Sequence, residues 1–97
     1  MYALAIVRYR RPTDEVLDHY EAHHAYLQLL KKEGVLVASG PLEPRFGGAL
    51  LLRVPDDTAR KAMDWVRDND PYVKAGVAQY ELLEWNVKTG RSDLDRA

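Results

Sequence analysis

The stretch from Tyr2 to Arg10 alternates with a period of two, with Tyr2, Leu4 and Ile6 on one side of an extended chain and Ala3, Ala5, Val7 and Tyr9 on the other. Both sides start apolar, which predicts an inner strand. The period changes after Pro12 and Thr13. Val16, Leu17, Tyr20, Leu27 and Leu30 then recur at helical spacings, Asp14 and Glu15 supply the negative charge a helix N-terminus favours, and Lys31, Lys32 and Gly34 mark its end. The pattern predicts a single amphipathic helix of about five turns.

Residues 35–42, VLVASGPL, read as a second strand ending at Gly40-Pro41, and residues 47–54, GGALLLRV, as a third. The link from Glu43 to Phe46 is short enough for a hairpin. Asp56 or Asp57 can cap a second helix carrying Ala59, Ala62, Met63, Trp65 and Val66 and ending near Asp68 and Asn69. Asp70-Pro71 opens a brief helical turn that Gly76 closes, and residues 78–87, AQYELLEWNV, form the last strand. The domain is expected to occupy residues 1–87. Residues 88–97, KTGRSDLDRA, are polar and are expected to be a tail, mobile or strapped onto a partner subunit.

The order β-α-β-β-α-β is that of an α+β, ferredoxin-like fold, in which both helices cover one face of an antiparallel sheet. The other face then needs a cover. Tyr80, Leu82, Leu83 and Trp85 make the last strand apolar on both sides in places, as the first strand is. Two sheets packed face to face in a homodimer would bury that surface. A chain of 97 residues is one short domain, for which oligomerisation adds burial.

Charge and composition narrow the function. Fourteen Lys and Arg against fifteen Asp and Glu leave no cationic excess to neutralise a phosphate backbone, so nucleic acid is not an expected partner. The absence of cysteine removes disulfides, thiolate metal sites and cysteine nucleophiles. Met1 runs straight into the first strand, and no apolar run approaches the roughly 20 residues needed to cross a bilayer. A cytoplasmic protein without membrane contact is expected.

His23 lies near the centre of the stripe formed by Val16, Tyr20, Leu27 and Leu30 and should point inward, whereas His19 and His24 lie on its flanks and should be solvated. By periodicity alone, a lone inward imidazole is more often a core residue satisfied by a carbonyl than a catalyst. His19 and His23 have the i,i+4 spacing of paired metal ligands, but no HExxH pattern or third ligand accompanies them, and no metal is expected. Asp70 precedes a proline, so its simplest role is to cap the short helix; a carboxylate held there could also orient an imidazole. Gly40-Pro41 and Gly47-Gly48 suit turns and strand ends, and backbone N–H groups beside glycines can hold an anion. Of Arg8, Arg10, Arg11 and Arg45, only Arg8, within the first strand, is carried forward as a ligand contact.

Three blocks, HHAYLQLLKKEG at 23–34, VLVASGP at 35–41 and DPYVKAGV at 70–77, together resemble the YCII-related (YciI-like) family of small dimeric α+β-barrel proteins. The resemblance runs from the first strand to about Val87. Its most specific parts are the His followed eleven residues later by Gly, the Gly-Pro, and the Asp-Pro-aromatic turn. It implies that His23 and Asp70 form an active-site dyad. The family usually has Arg and Pro shortly before this histidine, where this chain has Glu21 and Ala22, so no anion contact is carried over there.

The family includes a dehydrochlorinase of a chlorinated hydroxyhydroquinone, and related barrels include muconolactone isomerases and cofactor-free monooxygenases. The resemblance therefore implies a lyase without a cofactor that eliminates HCl from a small chlorinated hydroxyaromatic substrate. Its pocket is expected between the sheet and the first helix of each subunit, near the dimer interface, with Tyr2, Leu4, Tyr26 and Trp85 or their neighbours as an aromatic-lined wall and Arg8, Gly40 and Pro41 as further contacts. The alternatives are a muconolactone-isomerase-like isomerase and a non-enzymatic binding or accessory module, which would bind without turnover.

Overall fold

The computed structural model describes residues 1–97. Strand β1 (Tyr2–Tyr9) leads into helices α1 (Thr13–Leu17) and α2 (Tyr20–Lys32). Strands β2 (Leu36–Pro41) and β3 (Gly47–Arg53) follow, then α3 (Ala59–Asp68), α4 (Pro71–Lys74), β4 (Ala78–Trp85) and α5 (Arg91–Arg96). The four strands form one sheet in the order β2-β3-β1-β4, and all neighbours are antiparallel. This is the expected ferredoxin-like α+β topology. No helix is long and apolar enough to cross a membrane.

The alternation of β1 sets the two faces of the sheet. Ala3, Ala5 and Val7 are buried in one core with Val16, Leu30, Met63 and Val66 from the helices. Opposite them across the ladders stand Leu52, Leu50 and Gly48 on β3 and Glu84, Leu82 and Tyr80 on β4. The close approach of β3 to β1 demands glycine at one point, because a Cβ on Gly47 would fall 1.8 Å from the Val7 carbonyl oxygen.

The predicted long helix is divided. At His19 the backbone leaves helical geometry, with φ −106° and ψ 11°, and the chain is re-aimed. Val16 is thereby buried from α1, while α2 buries Leu30 at its far end. Neither Asp18 nor His19 breaks helical periodicity, so the hydrophobic pattern could not register the break. Gly34 ends α2 in the left-handed region at φ +79°, where the Gly34 and Val35 N–H groups donate to the carbonyls of Lys31 and Leu30. The second helix starts later than expected, with Thr58 at its N-cap position, because Asp56 turns instead to the Met1 amino nitrogen, 2.6 Å away.

The last strand stops at Trp85, two residues short of the predicted end, although Val87 is buried. The polar residues expected as a tail contain α5, which folds back over the sheet face opposite α2 and α3. Tyr2 donates its hydroxyl to Asp95 at 2.6 Å, and the Arg53 guanidinium donates to the Leu94 carbonyl at 2.7 Å. These contacts are polar, so no apolar stripe announced them. The rest of that face carries Leu4, Ile6, Leu51 and the exposed Leu83 and Trp85.

Candidate functional site

The site begins with the Asp-Pro turn. Pro71 occupies the first position of α4, where its missing N–H costs nothing, and Asp70 caps the helix by accepting from the Tyr72 N–H at 2.9 Å. The same oxygen, Oδ1, lies 2.8 Å from Nδ1 of His23 on α2. The other oxygen, Oδ2, accepts from the Tyr80 hydroxyl on β4. Asp70 is fully buried, and three donors converging on its carboxylate satisfy it there. One side chain thus both caps α4 and contacts the His23 imidazole.

A carboxylate offers only acceptor sites, so the shared proton is assigned to Nδ1 of His23. This leaves the Nε2 lone pair free, and no protein group hydrogen-bonds that nitrogen. The imidazole is only 11% exposed and lies parallel to the Tyr72 ring, with centroids 3.9 Å apart. Tyr9 meets Tyr72 edge-on, with ring centroids 6.3 Å apart.

The tyrosines around the dyad are kept neutral. Burial, reinforced by Tyr9 and Asp70, pushes the Tyr72 hydroxyl up to about 12. Burial and the Asp70 charge hold Tyr80 further above the ordinary tyrosine value, and the same two causes raise Tyr26. Each therefore remains a protonated donor through the neutral range.

His23 opens onto a cavity of about 470 Å³ between α2 and the β2–β3 half of the sheet. That is room for a small planar ligand. Tyr9, Tyr20 and Tyr72 supply aromatic wall, and Gly40 and Pro41 border the cavity. His24 is exposed and stacks on Tyr20 at the cavity's mouth.

Four other expected contacts go elsewhere. Tyr26 donates its hydroxyl to the Val66 carbonyl at 2.7 Å and so ties α2 to α3, outside the cavity. Tyr2, Arg8 and Trp85 lie on the opposite face of the sheet from the cavity and do not reach it within one chain. Arg8 pairs there with Glu81 at 3.0 Å, and Tyr2 and Trp85 border a separate recess of about 340 Å³ beside Arg91. Strand parity accounts for this: Tyr2 and Arg8 occupy even positions of β1, whereas Val7 and Tyr9 occupy odd ones. Sequence reasoning missed Tyr9, Tyr72 and Tyr80, and weighed Arg45 but set it aside in favour of Arg8. The parity of β1 could have found Tyr9, and the Asp-Pro-aromatic turn contained Tyr72.

The family model of the YCII-related domain matches residues 1–86. Among curated proteins, no sequence matches this chain. Among solved structures, the chain is similar to 5-chloro-2-hydroxyhydroquinone dehydrochlorinase (TftG) from Burkholderia phenoliruptrix AC1100, in complex with 2,5-dihydroxybenzoquinone. The TM-score is 0.75, the sequence identity is 24%, and the match covers 91% of this chain and 96% of that one. At that identity the likeness is one of fold.

Proposed function

The chain belongs to the YCII-related family, and from that premise we propose that it is a lyase that uses His23 and Asp70 to eliminate HCl from a small chlorinated hydroxyaromatic compound. The observation that carries this reading is the imidazole itself: its Nδ1 is held by a buried carboxylate and its unpartnered Nε2 belongs to a side chain lining a cavity. The substrate class comes from the fold neighbour, whose established substrate is a chlorinated hydroxyhydroquinone.

An imidazole changes charge near neutral pH, about 6.5 in its ordinary state, and is suited to moving a proton between oxygen and carbon. For a chlorinated benzenetriol, His23 takes the proton of the hydroxyl next to the chlorine-bearing carbon and delivers it to that carbon. The ring becomes a ketone with H and Cl on one tetrahedral carbon. Loss of the proton from the para hydroxyl then drives an electron pair through the ring, and chloride leaves. The products are a hydroxybenzoquinone and HCl, so atoms and electrons balance without an external oxidant. Asp70 orients the imidazole and stabilises its charged form.

The sheet face opposite α2 and α3, which α5 covers only in part and where Leu83 and Trp85 stay exposed, supports a homodimer in which a second copy covers the remainder. Sedimentation should then give twice the monomer mass.

Chloride release from 5-chloro-2-hydroxyhydroquinone tests the proposal. His23→Ala and Asp70→Asn should each lower turnover by about a hundredfold or more while the protein stays folded. Unchanged turnover in both variants would falsify the dyad assignment. Tight binding of the aromatic compound with no chloride released would favour the accessory-module reading instead.

A further inference from the structure

Although acidic residues outnumber basic ones in the chain, the cavity borders Arg45, Lys31, His23 and His24 and no carboxylate. Asp70, which contacts the His23 imidazole, is itself fully buried behind it. Arg8, Arg11, Arg60, Arg67 and Arg96 each pair with an acidic side chain, whereas Arg10, Arg45, Arg53 and Arg91 do not, and of these four only Arg45, in the β2–β3 connection, borders the cavity. Lys31 is also without an acidic partner, but its ammonium group is tethered to the Val37 carbonyl at 3.4 Å. An uncompensated guanidinium at the rim of a half-enclosed cavity concentrates negative potential ligands there.

The position of Arg45 links it to the dyad. Arg45 borders the cavity together with Tyr9, Tyr72 and His23, and Tyr9, with Tyr72 adding to the effect, raises its guanidinium above the ordinary arginine value. Tyr9 meets Tyr72 edge-on, and Tyr72 lies flat on His23. His23, Tyr72, Tyr9 and Arg45 thus border one cavity, so a planar ring bound there lies in a space shared by the imidazole and the guanidinium. The planar fork of arginine matches two neighbouring oxygens better than a point charge does.

We propose that Arg45 is the anion-binding residue of the cavity and selects planar rings bearing an ionised oxygen, either a phenolate or the vinylogous carboxylate of a hydroxyquinone. The inference rests on the proton-transfer reading of the site, because removal of a ring hydroxyl proton by His23 places negative charge on ring oxygens. A hydroxybenzoquinone product is a vinylogous acid and is ionised at neutral pH. Arg45 thus favours the charged states along the reaction over the neutral starting compound.

Calorimetric binding of two probes tests this without any need for turnover: 2,5-dihydroxy-1,4-benzoquinone, ionised at pH 7, and its neutral dimethyl ether. The wild-type protein should bind the ionised quinone at least about tenfold more tightly than the ether, as one charge-assisted hydrogen bond would give. Arg45→Gln should erase that preference and leave ether binding unchanged, Arg45→Lys should keep part of it, and Lys31→Gln should keep all of it. Equal binding of the two probes by the wild type, or a preference that survives Arg45→Gln, overturns the inference. A preference that follows Arg45 in a protein that never releases chloride leaves the anion site standing and removes the lyase. Chloride release without any probe preference does the reverse.

Discussion

The imidazole of His23 lies flat on the ring of Tyr72, with planes inclined by only 7°. Because the Tyr72 N–H and the His23 Nδ1 share one oxygen of Asp70, the same turn that caps α4 also supports the imidazole from below. Position and orientation of His23 are thus set by two consecutive features of one Asp-Pro-Tyr sequence.

Tyr72→Phe should retain most of the activity, since the stack uses the ring and no hydrogen bond from the hydroxyl is present. Tyr72→Leu should lower turnover by up to about tenfold, the value of one aromatic pair. Comparing chloride-release rates of the two variants checks the stack. Equal losses in both would show that the hydroxyl, and not the ring plane, is what the site needs.

Tyr80 donates to the Asp70 oxygen that does not face His23. Tyr80→Phe leaves that buried oxygen without a donor and should destabilise the fold by about 1–3 kcal/mol in urea denaturation. Chloride release should fall as well, because Asp70 then holds the His23 imidazole with one anchor fewer. Lower stability with unchanged turnover would mean that Tyr80 only fills space.

Alkaline pH should unfold the protein through its buried phenols. Tyr72 is raised to about 12 in the folded state, and Tyr26 and Tyr80 are raised in the same direction, whereas an unfolded tyrosine titrates near its ordinary value of about 10. Between those values the folded state binds more protons than the unfolded one. The contribution of Tyr72 is therefore complete below pH 10 and is lost as pH rises toward 12. Urea denaturation at stepped pH should show stability falling across this window, with a shallower fall in Tyr72→Phe. A slope unchanged by that substitution would contradict the assignment.

Much of the scaffold was legible because it is written in local periods. The alternation of β1 placed Ala3, Ala5 and Val7 in the core, and the helical stripe turned His23 inward and His24 outward. The same alternation separates Tyr2 and Arg8 from the cavity, a consequence that grouping residues by aromatic or cationic type overlooked. The break at His19 and the packing of α5 were not legible. The first depends on how two helical segments meet the sheet, and the second on hydrogen bonds from Tyr2 and Arg53 to residues about forty or more positions away.

By itself the sequence determined the order of the elements, the inward face of α2 and the capping turn at Asp70, since each follows from the spacing of residues a few positions apart. The family resemblance paired His23 with Asp70. Only the tertiary structure decided that the pair meets across 47 residues, that Tyr80 completes the carboxylate's set of donors, and that Arg45 rather than Arg8 shares the cavity. The physical reason is that hydrogen bonds and charge in a site depend on distances between elements, which periodicity along one element does not contain.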